Sequence, residues 1–175
     1  MDRERERRLI RAAQRGSAEA ADGLARAHAA RGWRAALAIT GSREMADEVS
    51  QEAMTRAFRS LRGFDARQPF APWLHRIVLN CARDAVRRRR AEQPLQEHDL
   101  PVADRDRDGW VDLLGALAAL DPDRRQVVVL RHVLGFTPTE IARIVGLPVG
   151  TVNSRLARGL ADLRLHLGKG PHEWA

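Results

Sequence analysis

Apolar residues recur along this chain at the three- and four-residue intervals that line one face of a helix, most clearly between Thr137 and Leu167. Thr137 is a good N-cap, Pro138 suits the first helical position, and Glu140 completes a capping box. Phe136 and Ile141 are spaced as a hydrophobic staple across that start. Gly146 predicts a left-handed stop and Leu147-Pro148 a change of direction. A second helix then carries Val152, Leu156, Leu160, Leu163 and Leu167 on one side. Gly150, Thr151, Ser154 and Arg158 remain on the opposite side, flanked by Asn153 and Arg155. Two helices and a tight turn, with small, amide and basic groups facing outward, suit insertion into a major groove. An amphipathic helical hairpin that only packs on its neighbours has the same apolar spacing.

Upstream, the pattern predicts helices over 2–15 and from Ala18 to Thr40, the latter weakened by Gly23 and Gly32. Gly41-Ser42 separates the second from a third helix, capped by Ser42, with Met45, Val49, Met54, Phe58 and Leu61 as its buried side. Asp47, Glu48, Gln51 and Glu52 gather on another face of that helix. Pairing with nearby arginines, an ordinary solvated face and a protein partner all accommodate such a stripe. A polar loop, RGFDARQP, leads to a long helix from Pro69 to Arg90 whose inward residues are Phe70, Leu74, Ile77, Val78, Cys81 and Ala85. Its other side spaces Trp73, Arg76, Asn80, Arg83 and Arg87 about one turn apart, a row able to stack on bases, read their edges and neutralise phosphates. Singly, Trp73 suits a core better than a stacking platform, Asn80 could make a backbone contact, and Arg87–Arg90 could be a solvated charge run.

Residues 92–108 are charged, contain two prolines and hold little apolar content, which predicts a flexible linker. The organisation expected is therefore residues 1–91, a linker over 92–108, a second module over 109–168 and a short tail over 169–175. Asp121-Pro122 caps a helix PDRRQVVVLRHVL inside the second module, and Gly135 ends it. Few aromatics, no Tyr and no long alternating run make the expected class all-α, two small helical domains.

Composition narrows the function. The chain has 175 residues and a formal net charge of +7, which favours a polyanionic partner, nucleic acid or membrane surface alike. It lacks the run of about 18 apolar residues that a membrane span requires, and its charged start is no secretory signal, so a cytoplasmic location is expected. The single Cys81 rules out an internal disulfide and a cysteine-cluster metal site. Histidines are scattered, and neither a zinc-protease nor a P-loop pattern is present, so no enzyme activity, metal or cofactor is expected. A stand-alone regulator using the same hairpin would need a dimer to read paired half-sites.

Three stretches carry a resemblance. TGSREMADEVSQEAMTRAFRSLRGF, PFAPWLHRIVLNCARDAVRRRR and LDPDRRQVVVLRHVLGFTPTEIARIVGLPVGTVNSRLARGLADLR, in that order, resemble the two domains, called sigma2 and sigma4, of extracytoplasmic-function sigma factors. The resemblance implies a promoter-specificity subunit whose partners are core RNA polymerase (clamp helices and flap) and promoter DNA, and it leaves an anti-sigma factor open. It implies polymerase contact through Asp47, Glu48, Gln51 and Glu52. It implies recognition of the opened minus-ten element through Gly63, Phe64, Asp65, Trp73, Arg76, Asn80, Arg83 and Arg87. The minus-thirty-five element would be read by Thr151, Asn153, Ser154, Arg155 and Arg158. Gly159 departs from the family's Ala, which predicts a softer last helix, by roughly 1 kcal/mol of propensity.

Overall fold

The computed structural model describes residues 1–92 and 108–168; of the expected linker over 92–108 the two end residues fall in helices, and 93–107 and the tail over 169–175 lie outside the described residues. Eight helices follow one another, and no strand occurs among the described residues. They are α1 (Arg3–Gln14), α2 (Ala18–Thr40), α3 (Arg43–Ser60), α4 (Phe70–Glu92), α5 (Asp108–Ala119), α6 (Pro122–Val128), α7 (Pro138–Val145) and α8 (Val149–Leu167). Local chemistry sets most boundaries. The Ser17 hydroxyl accepts from Ala20 N–H, that of Ser42 from Met45 N–H, and the Asp121 carboxylate from Asp123 and Arg124 N–H.

In the first half, α2 packs against α1, α3 and α4. On α3 the expected Val49 and, just past its end, Leu61 are buried, but the centre of the buried side is Ala46, Ala53 and Ala57, while Met45, Met54 and Phe58 are only half-buried. Alanines let helices approach closely, so the seam follows the small residues and the larger ones pack at its margin. The helix α4 is buried over a wider arc than expected, adding His75, Leu79 and Ala82 to Phe70, Leu74, Val78 and Cys81. The cause is tertiary: α4 packs on α2 and α3 and also on α7 of the second half.

The second half wraps α5, α6 and α7 around α8, which buries Val152, Leu156, Gly159 and Leu163. The helix expected from Pro122 to Leu134 is interrupted: after Val128 the chain runs one wider turn, Val129–Val133, in which Leu134 N–H bonds to Val129 C=O at 3.1 Å. At Gly159 α8 runs on unbroken to Leu167. A Cβ there would lie 2.8 Å from Val128 Cγ2, so the missing side chain is what lets α6 and α8 meet.

The two halves touch. Arg125 of α6 donates from Nη1 to Ile39 C=O at 2.8 Å, and Arg31 of α2 donates to Leu134 C=O. The Phe136 ring meets His75 edge-on at 5.3 Å, with the Arg31 guanidinium 5.8 Å from its centre.

Candidate nucleic-acid and polymerase interfaces

The hairpin of α7 and α8 forms as its capping residues dictate. Thr137 Oγ1 accepts from Glu140 N–H at 3.3 Å, and Glu140 Oε2 accepts from Thr137 N–H at 2.8 Å. Those bonds, the backbone one foremost, hold the Glu140 carboxyl below its ordinary range. Gly146 closes α7 at φ 72°, in the left-handed region, with its N–H on Ala142 C=O at 2.9 Å. Ile141 and Phe136 are buried at the start of α7, and Val152 is fully buried at the start of α8. That spine orients the opposite side of α8 to solvent: Asn153, Ser154 and Arg158 are exposed and Thr151 half-buried. Pro148 at the N-cap offers no capping side chain, so among the described residues the amides of α8's first turn remain donors available to an anion. Arg155 stands apart from this group. It is half-buried and its Nη2 lies 2.9 Å from Asp123 Oδ2 on α6.

On the first half, Arg76, Asn80, Arg83 and Arg87 are exposed along α4, and Trp73 is half-buried at its start. The Trp73 ring packs 4.6 Å from Phe64 and 5.3 Å from Phe70. Phe64, grouped with the strand-contacting residues by the resemblance, is covered by this cluster and presents no free face for stacking in this arrangement. Its loop neighbours Gly63 and Asp65 are exposed. Asp65 accepts from Arg67 N–H and Nε, both at 3.0 Å, which lowers its carboxyl from the ordinary value. Residues of α1 that the sequence did not single out hold this loop. Gln14 Nε2 donates to Leu61 C=O at 3.0 Å and Phe64 C=O at 2.7 Å, and Arg7 donates to Arg67 C=O.

Asn80, Arg83 and Arg87 share one cavity of about 570 Å3 with Arg56 and Arg90, closed on its far side by Pro122, Arg125 and Gln126 of α6. Trp73 and Arg76 lie outside it. The expected continuous row is thus divided, part of it facing the second half of the molecule.

The acidic stripe on α3 is exposed throughout. Asp47 accepts from Trp33 Nε1 at 2.6 Å, and Glu52 accepts from Arg56 Nε at 2.5 Å. Glu48 and Gln51 have no partner among the described residues. Glu48, Gln51 and Glu52 line a shallow groove of about 500 Å3 with Thr55 and Arg88. Among the described residues no group of three or more His, Cys, Asp or Glu side chains could hold a metal ion, and no helix is long and apolar enough to cross a membrane.

Two small helical units, one ending in a helix-turn-helix and the other carrying an acidic helix beside a basic one, define a class of transcription protein. Sigma-70 region 2 matches residues 24–92, and Sigma-70 region 4 matches residues 110–163. SigM of Mycobacterium tuberculosis, an extracytoplasmic-function RNA polymerase sigma factor, is 35% identical over 163 residues, covering 91% of this chain and 83% of its own. SigE of Mycolicibacterium smegmatis, another such factor, is 38% identical over 167 residues, 88% of this chain but 64% of SigE. Among solved structures, CnrH in complex with the cytosolic domain of CnrY superposes with a TM-score of 0.78 at 30% identity, covering 95% of this chain and 99% of that one. RpoE from Bartonella quintana, in complex with the anti-sigma factor NepR, shares the fold at a TM-score of 0.71 and 21% identity over 86% of this chain and 98% of that one. The chain belongs to the extracytoplasmic-function RNA polymerase sigma factors.

Proposed function

We propose that this protein binds core RNA polymerase and directs it to promoters, as a specificity subunit without catalysis of its own, acting in the cytoplasm. The observation that carries this reading is α8, whose buried spine presents Thr151, Asn153, Ser154 and Arg158 outward beside uncapped first-turn amides. Such a helix end fits a major groove, where each well-made bidentate contact discriminates bases by about 1–3 kcal/mol. Arg155 reaches the groove from its pairing with Asp123. Residues 1–91 act as the sigma2 domain, 109–168 as sigma4 and 92–108 as their linker.

In sigma2, Asp47, Glu48, Gln51 and Glu52 dock on the polymerase clamp. Gly63, Asp65, Trp73, Arg76, Asn80, Arg83 and Arg87 follow the opened strand at the minus-ten element. Phe64 supports that loop from beneath, and strand contact by its ring would require the aromatic cluster to open. Unstacking costs a few kcal/mol per base, which base capture and phosphate contacts offset. Two tethered readers on one polymerase act at high effective concentration, so the free chain binds DNA weakly and the holoenzyme strongly. CnrH is seen in complex with the cytosolic domain of CnrY, and an anti-sigma partner for this chain is part of the reading. Run-off transcription with bacterial core polymerase over a promoter library tests it: transcripts starting at defined sites are expected. No initiation on any template, or strong footprints from the free protein alone, would overturn it.

A further inference from the structure

The cavity between α4 and α6 holds Asn80, Arg83 and Arg87, which the promoter reading uses, together with Arg56, Arg90 and Arg125, which it does not. Five guanidinium groups line it, from Arg83, Arg87 and Arg90 of α4, Arg56 of α3 and Arg125 of α6, against one carboxylate, Asp84. Asp84 is already engaged, by Arg87 at 3.1 Å and Arg56 at 3.9 Å. Arg83, Arg90 and Arg125 have no ion pair among the described residues. Arg125 is the sharpest case, because it is only 8% exposed. Its terminal nitrogens donate to the carbonyls of Ile39, Ala118 and Leu120, and its Nε has no partner among the described residues. Burial draws its guanidinium below the ordinary range, and the like charge of Arg90 adds to this. Bringing α6 against α4 therefore sets five guanidinium groups from the two halves of the chain near one another, with Asp84 in the cleft and Asp121 beside Arg125 as the carboxylates that act on them among the described residues, an excess of positive charge that opposes closure.

We infer that this cleft binds a compact polyphosphorylated anion, which bridges α4 and α6 and holds the two halves in the closed arrangement. Guanidinium groups pair with phosphate oxygens in forked, charge-assisted bonds. A volume of about 570 Å3 lies in the range of small-ligand sites, roughly 300–1,000 Å3. The two-sided wall selects a short anion. An extended strand needs α4 uncovered, whereas a compact one gains contacts from α6 only while the halves are together. On the promoter reading, from which this consequence alone follows, such an anion competes with the opened strand for Arg83 and Arg87.

Calorimetric titration of the full chain with inorganic tripolyphosphate, and separately with ATP, at physiological salt tests the site without polymerase. One equivalent is expected to bind. Arg90→Gln, a change at an exposed position, should weaken binding roughly tenfold to hundredfold, the worth of one charge-assisted contact. Arg164→Gln, on α8 outside the cleft, should have no effect. Equal affinities for the two probes would identify the phosphate chain as the ligand, and tighter ATP binding would add the nucleoside to it. Unchanged affinity in the Arg90 variant, or several equivalents weakened equally by Arg164→Gln, would overturn the site. Failure here leaves the transcription assay untouched, and failure there leaves the anion measurement standing.

Discussion

Replacing Gly159 with Ala tests whether close helix approach or helix propensity governs α8. On an exposed helix the change would stabilise by about 1 kcal/mol. Here the new Cβ would sit 2.8 Å from Val128 Cγ2 and 3.4 Å from Arg124 Cβ. The first distance is short of the roughly 3.5 Å at which carbon atoms begin to attract rather than repel. Val128 is 2% exposed, and a β-branched side chain in a helix has one strongly preferred rotamer, so it has little room to yield. Overpacking of this kind costs about 1–3 kcal/mol, which exceeds the propensity gain. The expected net is a loss of about 1 kcal/mol, or a melting temperature lower by about 2–4 °C for a chain of this size. Urea unfolding followed by helical circular dichroism measures it. Val128→Ala destabilises alone by leaving a cavity, but combined with Gly159→Ala the two should cost less than their sum by about 0.5–3 kcal/mol, the coupling expected of residues in contact. A raised midpoint for Gly159→Ala, or strict additivity in the double variant, would refute the steric account.

Asp47→Arg combined with Glu52→Arg should abolish pull-down of core polymerase while leaving the helical spectrum unchanged, because both side chains are exposed and lose only single surface bonds. Arg155→Ala should lower transcription mainly on promoters with an intact minus-thirty-five element; an equal loss on scrambled elements would count against its place in that groove. His75 is fully buried, with Nδ1 2.7 Å from Ala71 C=O and no partner for Nε2 among the described residues. Burial first of all pushes its pKa from 6.5 down to about 4. The unfolded chain then binds the extra proton between those values, so this contribution to stability is present above the unfolded value and is lost as pH falls toward about 4. Unfolding midpoints measured across that window should fall less steeply in His75→Leu than in the parent, and parallel curves would exclude the effect.

The parts legible in the sequence are those fixed within one or two turns. Thr137 with Glu140, Gly146, Ser42 and Asp121 each mark a boundary through their own backbone chemistry, and all four act as expected. What stayed hidden depends on neighbours distant in the chain. Ala46, Ala53 and Ala57 carry no weight in a count of large apolar residues, yet they form the seam of α3. His75 and Leu79 look like outward positions until α7 covers α4. Arg125 reads as one more surface arginine, and only the carbonyls of Ile39, Ala118 and Leu120 explain its burial. The brace from Gln14 to the loop spans 50 residues and leaves no local trace. The proposed contact residues themselves were legible mainly as a pattern of motifs; their solvent-facing side follows from the apolar spine behind them.

Phe136 belongs at once to the start of α7 and to the seam between the halves, ringed by His75 and Arg31. Parting the halves would bare an aromatic ring whose burial is worth about 1.5–3 kcal/mol, unless it folds back onto Ile141. Separation and the stiffness of the helix-turn-helix are thereby thermodynamically linked through one side chain. A mutation that loosens the hairpin changes the extent of opening, and a partner that pries the chain apart alters how firmly α8 is held when it meets the duplex.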